Sequence, residues 1–113
     1  MSTVPRTREP KNLDAGPYAA AIRSFRLHLS AEGKSPKTVR TYIEAVQWFA
    51  AASLLPAGGR GDWSVVTSED VKVWMVRLLD TYSDSYANNQ HRALQQFFKW
   101  YADDEESPTR WRG

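Results

Sequence analysis

Residues 35–50, SPKTVRTYIEAVQWFA, decide how this chain folds. Ser35 followed by Pro36 is an N-cap and first-turn pair: the serine hydroxyl can accept from an early helix N–H, and proline's fixed φ and missing N–H suit the first helical position. Beyond them Val39, Tyr42, Ile43, Val46, Phe49 and Ala50 keep returning to one face for about four turns, which is the spacing of an amphipathic helix and not of a strand. This helix is expected to end near Leu54.

The same pattern continues on both sides. Upstream, Pro17 opens a helix whose stripe is Tyr18, Ile22, Phe25 and Leu29, and Gly33 stops it as a left-handed C-cap residue does. Downstream, the glycine-rich stretch from Pro56 to Gly61 reads as a mobile loop. Thr67 with Asp70 three residues later forms a capping-box-like start, with Val66 placed to staple onto Val71. The third helix is expected to bury Val71, Trp74, Met75, Leu78, Leu79 and Tyr82. Ser83 or Asp84 caps a fourth with the stripe Ala87, His91, Leu94, Phe97, Phe98 and Tyr101. The acidic run Asp103, Asp104, Glu105 and Glu106 opposes the dipole at its C-terminal end, so that end is expected to fray. No strand alternation of useful length and no internal repeat is present, and the fold class is all-α.

The 113 residues suffice for one hydrophobic core. Cysteine is absent, which excludes disulfide frameworks, thiolate metal sites and a cysteine nucleophile. No apolar run reaches the roughly 18 residues of a membrane span, so a cytoplasmic protein is expected. The net charge of +2 is small but unevenly spread: residues 1–49 carry eight Lys/Arg against four Asp/Glu, and residues 50–113 carry seven against nine.

The positive charge falls in a telling place. Lys34, Ser35, Lys37, Thr38, Arg40 and Thr41 gather at the start of the second helix, off its apolar stripe. Cations there run against the helix dipole, a penalty that a bound phosphate would reverse. On the fourth helix Asn88, Arg92, Gln95, Gln96 and Lys99 lie on one side, opposite the aromatic stripe, with Asn89 and Gln90 flanking. Asn, Gln and Arg are the side chains that pair with base edges in a major groove. Plain solvated polar faces are the competing reading. Of the five tryptophans, Trp74 is expected in the core, Trp48 and Trp100 at its rim, and Trp111 in the tail. His28 and His91 share no metal-ligand spacing, and no catalytic constellation is present. Neither a metal nor a cofactor is expected.

In order and residues these helices resemble the N-terminal core-binding, SAM-like domain of tyrosine recombinases of the phage integrase type. The resemblance rests on Phe25-Arg26-Leu27-His28-Leu29, on Gly33 through Tyr42 with its Ser-x-x-Thr-x-x-x-Tyr helix start, on Thr67-Ser68-Glu69-Asp70-Val71, and on Leu94 through Trp100 with its Phe-Phe-x-Trp ending. It spans roughly Tyr18 to Pro108. Tyr86 stands where the family commonly has Thr, and Asn89 where Arg is common.

Residues 1–14, with Arg6, Arg8 and Lys11 among Thr, Pro and Asn and no apolar period, read as a disordered basic arm; the resemblance implies that an orthogonal bundle of four main helices, residues 15–106, follows, and then a linker over 107–113 toward a catalytic domain. It implies a non-catalytic module that clamps double-stranded DNA through its second and fourth helices, with recombinase protomers and the catalytic domain of a parent chain as further partners, nucleoid-associated when bound. By position, Lys34, Ser35, Lys37, Thr38 and Thr41 would meet backbone, and Asn88, Asn89, Arg92 and Gln95 would lie along the fourth helix. The alternative is a helical protein-interaction module with no DNA role, which needs an exposed apolar patch around Trp48, Trp63 or Trp100.

Overall fold

The computed structural model describes the backbone of residues 12–106 and the side chains of residues 12–103. The linker expected over 107–113 and most of the basic arm lie outside these residues. The described chain is all-α: α1 (Ala19–Ala31), α2 (Pro36–Phe49), α3 (Ser68–Thr81) and α4 (Asp84–Glu106), with short 3-10 turns at Gly16–Tyr18 and Trp63–Val65.

Each boundary has a local cause. Ser35 Oγ accepts from the Thr38 N–H and caps α2. Thr67 and Asp70 form a reciprocal capping box at α3, and Ser83 Oγ accepts from the Tyr86 N–H at α4. At the end of α1, Gly33 adopts φ 83° while its N–H bonds the Ser30 carbonyl and the Lys34 N–H bonds that of Leu29. This is the Schellman pattern, and only a residue tolerant of positive φ closes it cheaply.

Helical backbone ends near Leu54 as expected, but the end of α2 and the loop after it carry geometry that the sequence does not announce. Phe49 is followed by a π-helical turn over Ala50–Leu54, with the Leu55 N–H reaching the Ala50 carbonyl. A second Schellman-type closure then pairs Gly58 N–H with Leu55 and Gly59 N–H with Leu54. Two of the loop's glycines allow close approach: a Cβ at Gly59 would collide with Tyr18 Oη, and one at Gly61 would sit 2.7 Å from Pro17 Cβ. The acidic run also differs from expectation, since α4 continues through Glu106.

The core is aromatic and joins every helix. Phe25 of α1 meets Phe97 of α4 edge-on with ring centres 5.2 Å apart, and Phe97 meets Trp63 at 4.5 Å. Trp63 packs on Tyr18 and Phe49, and Trp74 of α3 lies between Phe49 and Trp48 of α2. Trp63 is fully inside, and its Nε1–H donates to the Tyr18 carbonyl at 3.2 Å, whereas the buried Trp74 Nε1 has no partner. Trp63 therefore offers almost no exposed surface of its own, while Trp48 and Trp100 are half-buried against the core as rim residues.

On α3 the buried stripe is narrower than the sequence reading: Trp74 and Leu78 are inside, but Leu79 and Tyr82 are exposed. Only one side of α3 is covered, so residues at the edges of its apolar arc stay in solvent.

Candidate nucleic-acid interface

At the start of α2 the chain turns out of the Gly33 closure and presents Lys34, Ser35, Lys37, Arg40 and Thr41 exposed, with Thr38 half-buried. Internal bonds use part of this polar equipment. Ser35 Oγ both accepts from Thr38 N and donates to Thr38 Oγ1, and Thr41 Oγ1 donates to the Lys37 carbonyl. Pro36 has no N–H, and the Ser35 and Lys37 amides meet no acceptor among the described residues. Ser35 and Thr38 thus build the helix start with their hydroxyls, and these two amides and the Lys37 ammonium remain to meet an anion.

On α4 the exposed arc is centred on Arg92 and Lys99, with Asn88 beside them; Asn89, Gln95 and Gln96 are also exposed. Gln90, expected to flank this arc, points the other way. It is buried at 7 % exposure, and its Oε1 has no hydrogen-bond partner. Gln95 and Gln96 fall on opposite sides of the ridge. Gln95 borders an apolar groove of about 760 Å³ between α3 and α4, lined by Val71, Met75, Leu94 and Phe98, whereas Gln96 borders a smaller cleft between α1 and α4.

That smaller cleft sets Lys34, just before α2, close to the second half of α4. It is lined by Phe25, His28, Leu29 and Glu32 of α1 and by Gln96, Lys99, Trp100 and Asp103 of α4. Lys34 stands at its edge, because its N–H is bonded to the Leu29 carbonyl and its Nζ lies 3.9 Å from Glu32 Oε1. The basic start of α2 and the second half of α4 therefore share one end of the molecule. Asn88 lies eleven residues before Lys99, roughly 16 Å along the same helix, and Asn88 and Asn89 belong to the opposite end of the α4 ridge.

Apart from Lys34, the cations of this surface make no ion pair among the described residues. Among the described residues the ion pairs are His28–Glu32 at 3.4 Å and Glu32–Lys34. Lys37, Arg40, Arg92 and Lys99 are exposed and make none. Arg77, on α3, is by contrast consumed internally: its Nη1 donates to the Ala52 carbonyl and its guanidinium lies over the Trp74 ring, 5.1 Å from the centre. Glu32 was not considered in the sequence and His28 only as a metal ligand, although their i, i+4 spacing marks them as a pair on α1.

No group of three or more His, Cys, Asp or Glu side chains among the described residues could hold a metal ion. No helix among them is long and apolar enough to cross a membrane. Asp62 has its carboxyl held below the usual range because it accepts both the Ser64 hydroxyl and the Ser64 N–H, which closes the turn before α3.

The profile of one protein family, described as the phage integrase N-terminal SAM-like domain, matches residues 22–107. Comparison with curated proteins and with solved structures found no match for the chain.

Proposed function

Because the chain belongs to the family of phage integrase N-terminal SAM-like domains, a non-catalytic domain with a role in integrase-mediated recombination, we propose that it binds duplex DNA through the exposed faces of α2 and α4. The observation that carries this reading is the set of exposed cations without ion pairs, Lys37 and Arg40 on α2 and Arg92 and Lys99 on α4, flanked by Asn88, Asn89, Gln95 and Gln96. A solvated surface gains little from leaving its cations unpaired next to amides. A polyanion gains from each, because every phosphate neutralised releases counterions.

In this reading Lys34, Lys37 and Arg40 meet phosphates, with Ser35, Thr38 and Thr41 holding the α2 start in shape. Arg92 and the amide residues of α4 reach base edges, and Lys99 and Gln96 bridge to the α1 cleft. The chemistry of strand cleavage then belongs to a catalytic domain of a parent chain, and other protomers share the DNA.

The test is duplex binding as a function of salt for the chain and for Lys37→Ala and Arg40→Ala. Each variant is expected to bind more weakly, with a log–log salt slope shallower by about one unit. Unchanged affinity and slope in both would overturn the assignment of α2.

A protein-docking role finds support at a different place from the one the sequence suggested. Val73, Val76 and Leu79 recur every third residue on the outer side of α3 and are exposed. That face carries none of the candidate DNA contacts, so it does not compete with the proposal.

A further inference from the structure

Resting on the DNA-binding reading above, we propose that Glu44 is a base-selecting residue of the interface, accepting a hydrogen bond from the exocyclic amine of a cytosine in the major groove. Glu44 follows Lys37 by seven residues and Arg40 by four, which places it within roughly 20° and 40° of them around the α2 axis. It therefore lies between these two cations around the axis, on the same face of α2. Its i−4 neighbour Arg40 is positioned to form an intrahelical ion pair, yet no such pair forms, and Glu44 has no ion-pair partner among the described residues. Its side chain is half-buried, with Trp48 one turn on.

An unpaired carboxylate in a phosphate-binding face is costly for affinity, since it repels the backbone that its neighbours attract. It can serve discrimination instead. Cytosine offers an amine donor in the major groove, whereas guanine presents two acceptors and thymine a carbonyl, all of which repel a carboxylate. Adenine's amine sits beside the acceptor N7, which pairs with an amide better than with a carboxylate. A glutamate on this face therefore favours cytosine by attraction and rejects guanine by repulsion, while the lysines and arginine beside it supply sequence-independent affinity.

The experiment incubates the full chain with a duplex library randomised over about ten base pairs, roughly one helical turn, at low salt, and sequences the retained fraction. Wild type, Glu44→Gln and Lys37→Ala are run in parallel, with circular dichroism melts to establish that each is folded. The wild-type pool is expected to be enriched in cytosine and depleted of guanine at one position, by roughly tenfold, the scale of one good base contact. Glu44→Gln is expected to lose that preference or move it to adenine while retaining at least as much DNA. Lys37→Ala is expected to retain less DNA with the base distribution unchanged. The same base distribution in Glu44→Gln as in wild type, or no enriched base in the wild-type pool, would overturn the role of Glu44 and leave general DNA binding standing. A wild-type chain that retains no duplex would overturn both readings at once.

Discussion

A methyl group added at Gly59 would strike Tyr18 Oη and approach the Leu54 carbonyl oxygen to 2.8 Å, while one added at Gly33 meets nothing within 4 Å. The two glycines therefore fail differently. Gly59→Ala forces apart the first turn and the end of α2, and about 2 kcal/mol of lost stability is expected. Gly33→Ala suffers only the strain of its φ of 83°, about 1 kcal/mol. Thermal unfolding of the two variants reads the difference, and equal losses would contradict the packing at Gly59. Gln90 makes the opposite case: with its Oε1 buried and unpartnered, Gln90→Met is expected to hold or raise the melting temperature. At this scale the sequence was only partly legible. Ser35, Gly33 and Thr67 announce their roles through local chemistry, which spacing alone exposes. Gln90 and Trp63 do not, because what buries them is contributed by other helices: α4 is covered over a wide arc, and Trp63 is enclosed by Tyr18, Phe49 and Phe97.

Among elements, the helix starts were legible and the helix ends less so. N-caps are written in side chains that bond their own backbone, so α2, α3 and α4 begin where Ser35, Thr67 and Ser83 placed them. Ser35→Ala and Thr67→Ala are each expected to cost about 1 kcal/mol, because each removes a hydroxyl that accepts from the N3 amide, while the bond from the Thr67 N–H to the Asp70 carboxylate survives in Thr67→Ala. The π turn over Ala50–Leu54 has no such signature, since small alanines permit it without demanding it. The exposed edges of α3 escaped notice for a related reason: periodicity gives the centre of an apolar arc and not how much of it a neighbour covers. The turn at Trp63 carries a pH signature. Because hydrogen bonds from Ser64 lower the Asp62 pKa in the folded state, Asp62 contributes stability above its ordinary value of 3.8, and that contribution is lost as pH falls through the folded-state value. The gap in melting temperature between wild type and Asp62→Ala should therefore close as pH is lowered below 4. A gap that widens in acid would contradict the sign.

At the scale of the whole molecule, and among the described residues, Lys37, Arg40, Arg92 and Lys99 face solvent without an ion pair, while acidic side chains lie close by: Glu32 beside Lys34, Asp103 in the cleft with Lys99, and Glu44 on the face of α2. The order of helices and the polar faces of α2 and α4 were legible because both follow from periodicity within single helices. The closeness of Lys34 to the second half of α4 beside the α1 cleft was not, because it depends on how three helices pack. The measurement that bears most directly on the function is fluorescence anisotropy of a labelled random-sequence duplex titrated with this chain between about 20 and 200 mM salt, where phosphate-driven affinity changes most. The account expects binding at low salt that weakens steeply as salt rises, with a slope corresponding to several phosphate contacts. Absence of binding at the lowest salt, or binding indifferent to salt, would contradict it.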